Sequence, residues 1–194
     1  MTQLSTDDER YLLQLARTVI LDHLGEKTST PPPAKSSSAF MEKRGCFVTL
    51  HSKGRLRGCI GIIEPIKSLI AGVKENAINA GFQDSRFSPV TLDEMKHITI
   101  EISILTKPVP LHFQNVDELK KLLKPGVHGV ILSRGSYRAT FLPQVWEQLP
   151  GTEDFLGHLC QKAGMEKTCW KDMKTAIKVY EVSVFSEKDT KRIL

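Results

Sequence analysis

Two short runs of alternating residues, joined by a turn, constrain this chain more than any other feature. Cys46, Val48 and Leu50 alternate with Phe47, Thr49 and His51. After Ser52-Lys53-Gly54, Leu56, Gly58 and Ile60 alternate with Arg55, Arg57 and Cys59. A period of two sends successive side chains to opposite faces, so the segment predicts a β-hairpin with one apolar face. A three-residue loop with Gly54 in the left-handed conformation suits it. That loop sets His51 opposite Arg55, Thr49 opposite Arg57 and Phe47 opposite Cys59. Cys46, Val48, Leu50, Leu56 and Ile60 then share the core face, and Cys59 lies beside Arg57 on the polar face. A two-residue loop is rejected on this reading, because it would set Arg57 opposite Leu50 on the core side.

The remaining elements follow from the same patterning. Thr6 and Glu9 have capping-box spacing before Leu12, Leu15, Ala16 and Val19, which predicts a first helix from about Ser5 to Leu24, stopped by Gly25. Residues 25–39 are rich in Pro and Ser and read as an irregular surface connection. Ile66 to about Gly81 has helical spacing. Thr91 to Glu94 suggests a short turn of helix. Ile98, Ile100, Ile102 and Ile104 alternate with Thr99, Glu101, Ser103 and Leu105, the clearest strand in the chain. Val116–Leu123 and Phe155–Gly164 read as helices. Val127–Leu132, Tyr137–Leu142 and Val179–Phe185 read as strands. Strands and helices mix without regular alternation, so the fold class is α+β.

Composition narrows the function. The net charge is +5, with 27 basic and 22 acidic residues and no long basic run, so a dedicated nucleic-acid surface is not signalled. No apolar run approaches the roughly 20 residues that cross a bilayer. Acidic residues near the start interrupt any signal-peptide pattern. Cys46, Cys59, Cys160 and Cys169 show no Cys-x-x-Cys spacing, so no structural zinc site is expected. Free thiols in the reducing cytoplasm are the natural inference.

The candidate chemistry gathers around the hairpin. Leu56-Arg57-Gly58-Cys59-Ile60-Gly61 sets Gly58 and Gly61 about a cysteine within a strand, and glycine there marks a bulge or a close approach by a ligand or another chain. Arg57 offers paired donors to an anion. A thiol near a guanidinium gains thiolate character, which makes Cys59 a candidate nucleophile. His128, between Val127 and Gly129, is the candidate general base. Asp84 and Arg86 share a tight loop and either latch it or each offer a partner to a ligand. Glu64 and Glu101 are candidate orienting acids. His51, near the hairpin turn, reads as solvent-exposed.

The same blocks in order resemble the AMMECR domain family, called AmmeMemoRadiSam system protein A in bacteria and archaea. The resemblance runs from about residue 44 to 186. It rests on Leu56 to Gly61, on Gly45 to Leu50 upstream, and on Asp84 to Val90, Ile100 to Thr106, Gly126 to Gly129, Leu142 to Val145 and Phe155 to Gly164. It implies one compact domain with a larger and a smaller subdomain and a cleft between them. It names two companions, a Memo-type protein and a radical S-adenosylmethionine protein, and it settles no reaction and no cofactor. Arg138 and Thr140 depart from the usual glycine and leucine run of the family. The leading expectation is a cysteine-centred hydrolase or transferase, or a subunit of one, acting on a small molecule or a modified peptide. The alternative is a non-enzymatic adaptor that docks a partner on the glycine-rich surface.

Overall fold

The computed structural model describes residues 3–28 and 37–190. In chain order the elements are α1 (Thr6–His23), β1 (Cys46–Ser52), β2 (Arg55–Ile62), α2 (Leu69–Phe82), α3 (Leu92–Met95), β3 (Ile98–Leu105), β4 (Val109–Pro110), α4 (Val116–Leu122), β5 (Gly129–Arg134), β6 (Tyr137–Phe141), α5 (Thr152–Lys162), β7 (Ala176–Tyr180), β8 (Val182–Ser186) and α6 (Glu187–Thr190). The fold is α+β, as the patterning predicts. Two compact units divide the chain: a larger one of residues 1–105 and 183–194, and a smaller one of residues 106–182.

The larger unit holds a sheet of order β2-β1-β3-β8. Val48, Leu50, Ile100 and Ile102 are fully buried against Leu12, Ala16 and Ile20 of α1 and Val73 and Ala77 of α2. Removing an aliphatic side chain of this kind from water contributes about 1.5–3 kcal/mol. The helix begins one residue earlier in its cap than the sequence suggests. Ser5, not Thr6, accepts from the Asp8 amide, and the Asp8 carboxylate returns a bond to the Ser5 backbone. Gly25 ends the helix at φ +91°. The Pro/Ser-rich run at 29–36 lies outside the described residues.

The hairpin corrects the sequence reading. Its turn contains two residues, Lys53 and Gly54, both at positive φ (50° and 79°). That geometry matches the right-handed twist of the flanking strands. Ser52 pairs with Arg55 and His51 with Leu56. A β-bulge follows at Arg57, and pairing resumes with Leu50–Gly58, Thr49–Cys59, Val48–Ile60 and Phe47–Gly61. The extra residue resolves the conflict that counted against a two-residue loop, since Leu50 meets Gly58 and never Arg57. Leu56 falls on the other side of the bulge and is 43% exposed, so it does not join the core face.

The smaller unit holds a sheet of order β4-β7-β5-β6 with α4 and α5. Its core includes Leu132, Leu156, Phe155 and Trp146, the last two stacked at 3.7 Å. The stretch Val179–Phe185, read as one strand, is two: β7 and β8 belong to different sheets and part at Glu181. A disulfide joins Cys160 of α5 to Cys169, both buried, so two of the four cysteines are not free thiols. Cys46 and Cys59 remain free. Thr140 donates to the Val130 carbonyl and bonds the Tyr180 hydroxyl, and Gly129 leaves the space that the Tyr180 ring fills. Thr140 thus takes part in a hydrogen-bonded brace of this sheet. Among the described residues, no helix is long and apolar enough to cross a membrane.

Candidate functional site

Alternation along β1, β2 and β3 sends Thr49, Cys59 and Glu101 to the face turned away from α1 and α2. The register sets them in one row: Cys59 opposite Thr49, and Thr49 opposite Glu101. The Thr49 hydroxyl donates to the Cys59 sulfur at 3.3 Å. Cys59 is half-buried, whereas Cys46 on the core face is sealed in, and burial pushes its thiol up to about 11 against the opposing Asn76 amide. His51 follows Thr49 on the same face. Its Nε2 is buried, accepts or donates no hydrogen bond, and lies 3.8 Å from a Glu101 carboxylate oxygen. The sequence reading placed His51 in solvent. The signal that could have found it was its shared parity with Thr49 on a strand whose other face is core.

β2 is an edge strand, and Asp84 and Arg86 cover it at Cys59. The Asp84 carboxylate accepts from the Cys59 amide at 2.9 Å, from the Arg86 guanidinium at 2.7 and 2.9 Å and from the Arg86 amide at 3.2 Å. Arg86 also reaches the Cys59 carbonyl at 3.5 Å. The guanidinium, followed by the Cys59 and Arg86 amides, holds the Asp84 carboxyl well below the usual carboxylate range, with burial opposing. Asp84 is buried, while more than half of the Arg86 side chain is exposed. The loop is therefore a latch on the backbone that carries the thiol. The Arg86 pKa is raised by its bonds to Asp84, with burial opposing.

Arg57, assigned by sequence to an anion, is already engaged. Its guanidinium forks onto Glu94 at 2.8 and 3.0 Å and donates to the Ser88 carbonyl at 2.9 Å, leaving only a buried Nη1 without a partner. The fork lowers the Glu94 pKa. The Phe87 ring receives both guanidinium groups, Arg57 at 5.8 Å and Arg86 at 5.4 Å, in cation–π contact. Arg57 thus pins the loop 84–94 to the bulge. Arg57→Ala is expected to lower stability by about 1.5–3 kcal/mol, since the largely buried guanidinium bonds both a partly exposed Glu94 and the Ser88 carbonyl. Arg57→Lys should recover only part of this, because an ammonium cannot fork onto a carboxylate. Urea midpoints read both; an unchanged midpoint in Arg57→Ala would remove the structural role.

The close approaches signalled by the two glycines are internal. A Cβ on Gly58 would stand 2.1 Å from the Ala80 carbonyl oxygen of α2, and one on Gly61 would stand 2.3 Å from the Phe47 ring. Glu64 is exposed in the connection after β2, and the carboxylate that meets Arg57 is Glu94. His128 belongs to the smaller unit and is buried there. Its Nδ1 accepts from the Lys124 amide at 3.2 Å, and its carbonyl accepts from the Trp146 indole at 2.8 Å. Burial first, then the Lys124 charge, lowers its pKa, with Glu181 opposing. A neutral ring that accepts at Nδ1 carries its proton on Nε2. That tautomer donates from Nε2 and does not serve as a base there.

The fold and this face define an α+β protein with a hydrogen-bonded thiol on an antiparallel sheet. The AMMECR1 family model matches residues 13–185, and the chain belongs to that family. The match begins earlier than the motif blocks suggest and takes in most of α1. A protein of Methanothermobacter thermautotrophicus is 39% identical over 189 residues, covering 95% of this chain and 96% of its own length. Protein MJ0810 of Methanocaldococcus jannaschii is 39% identical over 194 residues, covering 96% of this chain and 94% of its own. The crystal structure of uncharacterized protein PH0010 from Pyrococcus horikoshii is similar with a TM-score of 0.80 and 34% identity, over 92% of this chain and 90% of that one. None of these names states an activity.

Proposed function

We propose that the protein is a thiol-dependent hydrolase or transferase, or the thiol-bearing subunit of one, with Cys59 as nucleophile. The observation that carries this reading is the Thr49 hydroxyl donating to a half-buried sulfur whose backbone Asp84 and Arg86 hold. The attacking form of such a group is the thiolate, and a hydroxyl donor at the sulfur can hold its negative charge. In this reading His51, paired with Glu101, takes the thiol proton. His51 and Cys59 are diagonal neighbours across β1 and β2, a separation that side chains or one water can bridge. The thiol serves a reaction sequence shared with a Memo-type protein and a radical S-adenosylmethionine protein, the companions named by the family resemblance, on a small molecule or a modified peptide. The adaptor reading loses its main support, because both glycines of the motif are taken up by internal packing.

Iodoacetamide labelling of the folded protein between pH 5 and 9, followed by peptide mass spectrometry, tests the proposal. Cys59 is expected to label at least about a hundred-fold faster than Cys46, whose burial hinders both ionisation and access. Thr49→Val should slow Cys59, and His51→Gln should displace its labelling profile to higher pH. Equal labelling of the two thiols at every pH would leave the adaptor as the better reading. Without reduction, thiol titration of the unfolded chain should count two thiols, and with reduction four, as the Cys160–Cys169 bond requires.

A further inference from the structure

The larger unit also carries a groove unrelated to the thiol. A cavity of about 520 Å³ lies between α1, the segment joining α3 to β3, and the start of α6. A second of about 320 Å³ adjoins it, sharing Arg17, Met95 and Lys96. The floor is apolar, formed by Leu13, Met95 and Ile98, all core residues. Arg17 forms a wall and is fully engaged. It forks onto Glu187 at 2.6 Å and donates to the Met95 and Ile98 carbonyls at 3.1 and 2.7 Å. Glu187 in turn accepts from the Ile100 amide at 2.8 Å. The acid of the lining is therefore neutralised within the wall.

In the first cavity the other charges are Arg10, Lys96 and Lys188, three cations, while the second is lined by the acid Glu26. Arg10 and Lys96 each touch a carboxylate three residues away, Asp7 and Asp93, and both acids are about nine-tenths exposed. Pairs of that kind contribute little and yield readily to a better-placed anion. Lys188 has no ion pair among the described residues. The volume lies in the range of small-molecule sites. We propose that this groove binds a small organic anion with an apolar body, an alkyl or aryl carboxylate or phosphate. The body rests on Leu13, Met95 and Ile98, and the anionic head meets Lys96, Lys188 and Arg10.

Calorimetric titration of the full chain with monomeric octyl phosphate, octanoate and octanol tests this. At least one of the two anions is expected to bind saturably, and octanol about ten-fold or more weaker, because only the anions meet the cationic rim. The double reversal Lys96→Glu with Lys188→Glu should weaken the anion by about ten-fold or more. Both side chains are exposed, and an unchanged thermal midpoint will show that the fold persists in the variant. The proposal is overturned by absence of saturable anion binding, by octanol binding equally well, or by a folded double variant that binds as the parent does. Co-sedimentation with phosphatidylglycerol vesicles without binding of the monomeric anions overturns it as well, since the head group would then be read as part of a lipid surface. Cys59 labelling does not enter any of these outcomes.

Discussion

Gly58→Ala is expected to cost the protein about 3 kcal/mol, the effect of a single methyl group set against backbone. The added Cβ would stand 2.1 Å from the Ala80 carbonyl oxygen and 3.1 Å from its carbon. A side chain in the way can turn aside, but this carbonyl belongs to the last turns of α2 and cannot. Either the helix lifts from β2 or the strand bends away, and both movements open the core around Val48, Val73 and Ala77. Gly81 supplies the control one residue along the same helix. A Cβ there meets Leu50 and Val90 at 3.9 Å, an ordinary contact. Gly81→Ala is expected to be neutral or to stabilise by about 0.5–1 kcal/mol through helix propensity. Urea unfolding of the two variants should separate them clearly. Equal midpoints would show that the strand and helix are not in the close contact described.

Asp84→Ala should lower stability by about 2 kcal/mol, because the Cys59 amide on an edge strand would lose its acceptor. The exposed Arg86 can return to water, so most of the loss belongs to that amide and to the latch. The pH dependence identifies the group. A carboxyl whose pKa is lowered by folding adds stability above its unfolded value, about 4, and that stability fades as pH falls toward the folded value. The gap between the parent and Asp84→Asn should therefore be constant from pH 7 to about 5 and narrow steadily below pH 4. A gap that stays constant down to pH 2.5 would deny that Asp84 is charged and bonded as described.

The sequence carried the elements of this fold more faithfully than their junctions. The isoleucines at 98, 100, 102 and 104 could only be a half-buried strand, and they are. The short helical turn at Thr91 to Glu94 was equally plain, and local, reciprocal hydrogen bonds between Thr91 and Glu94 cap it. Errors came where a non-local competitor decided. The period of two assumed an unbroken ladder between Leu50 and Leu56, and one unpaired residue at Arg57 defeated it, although Gly58 was a visible warning. Arg57 looked available for a ligand because the acid in view nearby was Glu64, whereas its partner, Glu94, lies 37 positions on. Cys160 and Cys169 lacked a recognisable spacing, and only the turn after α5 brings them together. His51 was dismissed by its nearness to a turn, while the ladder to Glu101 through β3 was invisible from β1 alone. Cys59 and Thr49 were both on the correct face, but as neighbours of the wrong residues.

A ladder with one supernumerary residue has few ways to slide. In an even hairpin, shifting one strand by two positions returns every side chain to its own face, so the error is cheap to make and slow to correct. Here a shift of that kind would carry Arg57 away from Glu94 and the Ser88 carbonyl, and would take Gly58 from beneath Ala80 and put a side chain there instead. The bulge, the glycine and the fork thus act as three teeth of one key. A chain that misses this alignment gains no partial credit for a neighbouring one, and the sulfur of Cys59 occupies its place along β1 with little room for drift.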